Sequence, residues 1–536
     1  MFKCIFIIIV MLFTIYLKTQ KSLHMLQQNL YNENNRYLKW VYRNANQFIN
    51  MEIVAIFIAL LGLFVIYDLE GISLLAFFTI CLVYVYCFYR LRRIKANTKT
   101  KKPLVVTKRV KRLITTISLI YLIFFILLLI NYNNVNDLWL YILVLTLLIY
   151  LNTIVVYIAN IINKPIERMV YKHYERLAKN KLKSMTNLKI IGITGSYGKT
   201  SSKNILSDIL NVKYDAFASP KNLNTFLGLM STINNNLDKF TEIFIAEMGA
   251  YVKGEIHGLC ELVNPKYGIL TKIGTAHLET FGSEENIVEG KFELIEYLPK
   301  DGVGVLNKDD PKQVSYKLKN TCKIIWIGID NEDCDVRAID IKCSNVGTTF
   351  KVKFKDDDKL YKFTTKLLGK HNVYNILASI ALGKEFNIEI ADLISSVALV
   401  KPVEHRLELK RLGNFYQIDD AYNSNPVGAK NALDVLEMMP GIKVVVTPGM
   451  IELGKKEEYY NEEFGKQIAS VADYVVLIGK KRTLPILEGL KQKGYDKDRI
   501  IVYNDVRDAY SFISNLKEKK EVYALFENDL PDSYDE

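Results

Sequence analysis

Before residue 165 the chain carries five long apolar runs, at 4–17, 53–67, 73–89, 113–130 and 138–162. They restrict the backbone more than any motif further on. A helix needs about 20 mostly apolar residues to cross a bilayer, and a slightly shorter run serves if its flanking residues snorkel. The last three runs have the length, and the second reaches it by extending back through Phe48. The first is the shortest. KTQKSLHML follows it rather than a small-residue cleavage site, so it reads as a retained anchor and not a signal peptide. The expectation is an all-α transmembrane region over 1–163 with about five helices.

Charge orients it. Residues 90–112 hold eleven Lys or Arg and no Asp or Glu, against +12 for the whole chain. The remainder is therefore near neutral, which argues against a nucleic-acid partner. A basic block between two apolar runs reads as a cytoplasmic loop and is suited to anionic headgroups. The 68–72 and 131–137 loops lack Lys and Arg, whereas 18–52 carries Lys18, Lys21, Arg36, Lys39 and Arg43. These signs put everything after Asn163 in the cytoplasm of a multi-pass cell-membrane protein. Seven scattered cysteines with no C-x-x-C pair fit a reducing compartment and no zinc ribbon.

A charged, helical-period linker spans 164–187. From Lys189, short β-branched runs alternate with amphipathic segments: KIIGIT, EIFIAEM, YGILTKI, GVGVLN, KIIWIGI. That alternation predicts an α/β domain with a mainly parallel sheet over 188–402. Residues 335–366 alternate with period two and read as antiparallel, and a helix is expected at 372–385. A second, smaller α/β domain is expected over 403–536, from FYQIDDAY, KVVVTPGM, YVVLIG and RIIVY.

The chemistry begins with GITGSYGKTSS at 192–202, placed between a strand and a helix. Such a glycine turn cradles phosphate with its N–H groups and the helix N-terminus. The usual G-x-x-x-x-G-K-[ST] spacing puts a glycine where this chain has Ile193; the chain supplies Gly195 instead. Lys199 can reach terminal phosphates, and the Thr200 hydroxyl can ligate Mg²⁺. Glu247 closes the strand EIFIAE, where a carboxylate can hold a metal beside the phosphates or simply be exposed. His277 follows another strand end in GTAHLET, and Lys291 lies in the helix behind it; a packing histidine and a solvated lysine are their bland readings.

Taken together, GSYGKTS, EMGAYVKGEI, GTAHLETFGS followed by EGK, GKHNVYN, HRLE and DDAYNSNP, in that order over about 189–460, resemble the Mur ligases of peptidoglycan synthesis, most nearly the D-alanyl-D-alanine-adding branch. The shortened glycine spacing is natural to that family. The resemblance implies a P-loop central domain, a smaller Rossmann-like C-terminal domain, and ATP-dependent amide formation through an acyl phosphate. It implies a phosphate cradle of Gly195, Ser196, Gly198, Lys199, Thr200 and Ser201. Thr200 and Glu247 would hold a first Mg²⁺, and His277 would help hold a second. Lys291 matches the lysine that CO₂ converts to a carbamate, and Lys199, His277 and Lys291 would form the catalytic set. Asn375 would face the adenine, Arg406 and Asp420 would reach the nucleotide as domains close, and Asn222, Asn224, Asn423 and Asn425 would lie on the substrate side.

Three departures stand out. Membrane segments occupy the place of the family's soluble domain for the UDP-linked precursor; Gly449 in TPGMIELG stands where Asp is common; and FENDLPDSYDE lacks the K-G-S that often closes this branch. The expected partners are a small-molecule or lipid-linked cell-wall precursor and an amino donor. A polyglutamate-type capsule synthase on the same ATP core is the alternative. A nucleotide-regulated membrane protein would not need His277 and Lys291, and an ATP-binding-cassette transporter would need an L-S-G-G-Q-like signature, which the sequence lacks.

Overall fold

In a computed structural model, residues 2–29, 31, 35–43, 103–130, 135–421, 424–451, 453, 456–516 and 521–528 are described, with scattered helical positions between 79 and 93. The expected span 53–67, most of 73–89, the loop 68–72 and residues 94–102 of the basic block lie outside them, as does Asn423. The chain divides into two units, Met1–His173 and Tyr174–Glu536.

The first unit is helical. Its described helices are Phe2–Gln28, Arg36–Arg43, Lys108–Ile130 and Val135–Tyr150, and the helix Asn152–Ser184 begins in it. Leu23, Leu26, Tyr37, Val110, Leu113, Ile117, Val156 and Ala159 form its core. Lys108–Leu127 is long and apolar enough to cross a membrane. The expected single span at 138–162 is instead broken: the segments on either side of Leu151 meet at 73°. The break coincides with a polar side chain that cannot be left unsatisfied in a core. Asn152 Nδ2 donates to Thr19 Oγ1 and to the Tyr121 hydroxyl, each at 3.0 Å, and its Oδ1 accepts from Ser22 Oγ at 3.0 Å. The expected linker at 164–187 is mostly a continuation of the helix Asn152–Ser184, with Pro165 inside it.

In the second unit, a nine-stranded sheet runs β2-β3-β1-β4-β5-β6-β7-β8-β9. The strands are β1 Lys189–Thr194, β2 Ala216–Ala218, β3 Ile243–Glu247, β4 Tyr267–Leu270, β5 Val303–Asn307, β6 Lys323–Gly328, β7 Val336–Ser344, β8 Gly347–Phe354 and β9 Asp357–Thr365. Pairing is parallel from β2 to β7 and antiparallel across β7-β8-β9. The central strands β1, β3, β4 and β5 are buried on both faces, which is why they read as mostly apolar runs without alternation. One face packs on the helices Lys199–Leu210 and Lys370–Glu385 through Ile205, Ile209, Ile376 and Ile380, and the other packs on Glu284–Tyr297 through Leu294 and Ile295.

The second sheet runs β10-β11-β15-β12-β13-β14. It comprises β10 Glu408–Leu412, β11 Phe415–Asp420, β12 Ile442–Thr447, β13 Tyr474–Ile478, β14 Ile500–Tyr503 and β15 Val522–Glu527, parallel except for β10. This is the expected α/β architecture of a larger and a smaller sheet domain. Leu368, just past β9, packs into the core of the second sheet, and Asn345 donates to the Tyr523 hydroxyl at 3.0 Å.

Candidate active site

β1 lies between β3 and β4, while the chain leaves β1 to build β2 and β3 on one side and β4 on the other. Loops diverge at such a switch point, and the crevice outside the carboxyl ends of the strands takes the ligand. The register pairs Ile193 with Glu247 and Thr194 with Leu270, so the loop 195–199 emerges between the ends of β3 and β4.

The loop has no room for side chains at its glycines. Gly195 has φ 148°, and a Cβ there would stand 2.0 Å from Thr271 Oγ1. Gly198, with φ 82°, precedes the helix Lys199–Leu210, and its face lies against Asn375. Gly195→Ala is therefore expected to destabilise the fold by on the order of 2 kcal/mol and to abolish ATP binding. Urea unfolding and nucleotide titration of the same sample check both; a normal unfolding midpoint would refute it.

Lys199 folds back over the loop, donating to the carbonyls of Gly195 at 2.8 Å and Ser196 at 3.2 Å. Burial lowers its ammonium below the ordinary lysine range; Glu247 opposes that and Arg406 adds to it. Thr200 Oγ1 donates to Glu247 Oε1 at 3.1 Å, and Asn224 Nδ2 donates to the same oxygen at 2.9 Å. Glu247 is 1% exposed. A hydroxyl and a carboxylate oxygen converging at the mouth of a phosphate loop suit a hard divalent cation. Among the described residues no three His, Cys, Asp or Glu side chains group into a metal cage.

His277 precedes a short turn of helix with φ 62°, and its ring lies 4.4 Å from that of Tyr251. Burial lowers its imidazole pKa, and Lys291 and Lys199 lower it further, so the neutral ring is favoured. Lys291 comes from the helix Glu284–Tyr297, donates to the Ala250 carbonyl at 3.3 Å, and lies over the Phe281 ring. Burial, with Lys199 beside it, lowers its amine to about 7. Positive charge on Lys199 and Lys291 thus disfavours protonation of their neighbours around one crevice, and Arg406 acts on Lys199 in the same sense. An anion bound there would relieve that mutual depression.

Asn375 does not stand free. It accepts from Ser202 Oγ at 2.8 Å and braces the loop at Gly198. Asn222 and Asn224 lie on the loop after β2; the Asn224 carbonyl accepts from Gly249 N, and its amide reaches Glu247. Asn425 caps the helix Pro426–Glu437 by accepting from Gly428 N at 3.0 Å. Ser201 sits in the first turn after the loop.

Asp420 is placed next to a residue that the sequence reading did not single out. The parallel register sets it beside Glu527 at the carboxyl ends of β11 and β15. Glu527 is 1% exposed and accepts from Ser424 Oγ at 2.6 Å. Two adjacent buried carboxyls cannot both ionise. Burial raises Asp420 to about 6 and pushes Glu527 well up. A carboxyl whose folded pKa is raised stabilises below its unfolded pKa, and that stability is lost as pH climbs through the folded value. Glu527→Gln, whose amide donates to Asp420, is expected to raise stability by on the order of 2 kcal/mol at pH 8 and by little at pH 4. Thermal melts at the two pH values check it; equal shifts would count against the shared proton.

Comparison with known proteins supplies the rest. Residues 193–383 match the family model of the Mur ligase middle domain, and residues 405–525 match that of the Mur ligase, glutamate ligase domain. The UDP-N-acetylmuramoyl-tripeptide–D-alanyl-D-alanine ligase of Bacillus subtilis is 35% identical over 339 residues, covering 62% of this chain and 71% of the relative. The enzyme of the same name from Escherichia coli is 28% identical, covering 58% and 70%. Among solved structures, MurF ligase of Thermotoga maritima in complex with ADP superposes with a TM-score of 0.58 at 27% identity, covering 66% of this chain and 80% of that one. MurF of Acinetobacter baumannii gives 0.59 at 25% identity, covering 66% and 77%.

Proposed function

The chain belongs to the Mur ligase family of ATP-dependent carbon–nitrogen ligases, and from that premise we propose that it is a membrane-anchored ligase joining a D-alanyl-D-alanine-type dipeptide to a muramyl-peptide carboxylate. The observation that carries the reading is the Thr200–Glu247 oxygen pair at the mouth of the glycine loop, with the Lys199 ammonium folded over the same loop.

Chemistry at this site has one main obstacle. An acceptor carboxylate must approach a triphosphate, anion against anion. Lys199, already at the loop mouth, turns from the Gly195 and Ser196 carbonyls to the phosphates. Thr200 and Glu247 would hold one Mg²⁺, and His277 with Lys291 would hold a second. Bound there, Mg²⁺ draws charge from the phosphoryl oxygens. The carboxylate oxygen then attacks the γ-phosphorus, the bond to ADP breaks, and an acyl phosphate forms. The donor nitrogen attacks the acyl carbon, the carbon–oxygen bond to phosphate breaks, and the amine gives up a proton.

Lys291 as an ammonium would repel the second ion. Its lowered pKa leaves a reactive neutral amine near pH 7; attack on CO₂ forms the N–C bond, releases a proton and yields a carbamate anion.

Membrane anchoring draws on exposed apolar side chains. Leu119, Leu122, Ile123 and Ile126 on Lys108–Ile130, and Ile154, Ile158, Ile161 and Ile162 on Asn152–Ser184, are all exposed, and a patch of that kind marks a membrane or protein contact. The expressed chain is expected to sediment with membranes and resist carbonate extraction, and recovery in the carbonate supernatant would overturn the anchoring.

The direct test incubates detergent-solubilised protein with ATP and UDP-muramyl-tripeptide plus D-Ala-D-Ala, or with L-glutamate alone. Phosphate release and product mass are followed. Dipeptide-dependent ADP formation with a new amide is expected. Polymerisation of glutamate in its place would move the chain to the capsule-synthase reading, and no turnover with either would defeat the proposal.

A further inference from the structure

Lys203 stands one helical turn beyond Lys199 on the helix Lys199–Leu210, and nothing in the proposed reaction uses it. Lysine is almost never fully buried unless paired, yet Lys203 is 1% exposed. Its Nζ donates to the Lys221 carbonyl and stands 3.1 Å from Glu247 Oε2. The two oxygens of Glu247 are used differently. Oε1 accepts from Thr200 and Asn224, whereas Oε2 makes no hydrogen bond among the described residues and has the Lys203 ammonium as its ion partner.

We infer that Lys203 is a positioning residue: it holds Glu247 by Oε2 so that Oε1 is presented beside the Thr200 hydroxyl, and it anchors the 219–225 loop through the Lys221 carbonyl. The inference rests on the reading of Thr200 and Glu247 as metal ligands. Its physical basis is the desolvation of the pair. An ionised carboxylate buried without a cation is costly and tends to neutralise or turn away. A cation on Oε2 keeps the charge and prevents rotation of the carboxylate. Were Lys203 only a competitor for the metal, it would face Oε1, the oxygen shared with Thr200. It faces the other one. The shared anchor also links the metal position to Asn224, whose amide meets Oε1 and whose carbonyl accepts from Gly249 N. Lys203 therefore couples the nucleotide loop to the loop expected on the substrate side.

The test measures Mn²⁺ affinity rather than turnover. Full-length protein in detergent is mixed with a non-hydrolysable ATP analogue, and free Mn²⁺ is read by electron paramagnetic resonance. Lys203→Met is expected to raise the Mn²⁺ dissociation constant about tenfold, as loss of a partner behind a metal ligand does. Lys203→Arg keeps the charge and should recover most of that loss. Lys203→Gln keeps a donor for the Lys221 carbonyl without the charge, and makes the same comparison if the methionine variant does not fold. Glu247→Gln supplies the reference for a lost ligand. Unchanged or tighter Mn²⁺ binding in the uncharged Lys203 variants, with weakened binding in Glu247→Gln, overturns the positioning role. Unchanged binding in Glu247→Gln overturns the metal-ligand reading beneath it, and this inference too.

Discussion

Lys291→Ala is expected to lower kcat by about 10²-fold or more, with part of the activity regained when short carboxylic acids are added. The magnitude follows from removing one electrostatic element of a site proposed to neutralise a phosphoryl transition state. The rescue follows from chemistry: the alanine leaves space where a carbamate is proposed, and a small carboxylate can occupy it as a substitute anion. Lys291 is 2% exposed, so a thermal melt of the variant must accompany the kinetics to separate unfolding from lost chemistry. Full activity of Lys291→Ala would exclude the carbamate. Wild-type activity is expected to depend on pH and CO₂ through the proposed carbamate on Lys291. With its amine lowered to about 7, the neutral form that reacts with CO₂ dominates at pH 8 and is scarce at pH 6. Activity in CO₂-depleted buffer should accordingly recover on bicarbonate addition, and faster at the higher pH.

Lys199→Met carries the second large effect, a fall in kcat of about 10²–10³-fold, the range for losing a single preorganised charge donor. Stability should move the other way or not at all. Lys199 is a cation held close to Lys291 and Arg406, with its ammonium on loop carbonyls and burial acting against its charge. Removing it relieves that repulsion. A second readout follows from the same electrostatics. Lys199 lowers the Lys291 amine, so the variant's Lys291 should titrate higher, and its carbamate, observed by ¹³C resonance from labelled bicarbonate, should form at higher pH. An active Lys199→Met enzyme, or one whose Lys291 titration is unmoved, would contradict the cluster as described.

Much of the catalytic domain was legible in the sequence because its signals are local. β1, β3, β4 and β5 are buried on both faces, and burial on both faces writes itself as a mostly apolar run without alternation. The phosphate loop is equally local, since two glycines with positive φ, a lysine and a threonine within six residues define it. Glu247 at the end of β3, and Lys291 in a helix after the His277 turn, could be placed for the same reason. β2, β10 and β15 were not read: β2 is three residues long and β10 an edge strand exposed at its carboxyl end, so neither writes a continuous apolar pattern, whereas β15 does write one, VYALFE, and was missed all the same.

Other residues were out of reach of local pattern. Lys203 reads as an ordinary helical lysine until Glu247, 44 positions later by the numbering, is brought to 3.1 Å from it. Glu527 stands in the tail noted for its missing K-G-S, yet only the pairing of β11 with β15 sets it against Asp420 and raises both carboxyls. The polar cluster beside the bend at Leu151 was out of reach for the same reason, because Thr19, Ser22 and Tyr121 become partners of Asn152 only when helices distant in sequence pack together.

By itself the sequence determined the kind of machine this is. A glycine loop with its lysine and threonine, set in a run of doubly buried strands, depends on neighbours a few residues away, and those neighbours are written side by side. The tertiary structure alone decided how the charges balance: which lysine faces which oxygen of Glu247, which amine loses its proton beside Lys199, and which carboxyl shares one with Asp420. Those outcomes depend on burial and on distances between residues remote in the chain, and electrostatic energy in a low-dielectric site is set by distance and burial, not by order along the backbone.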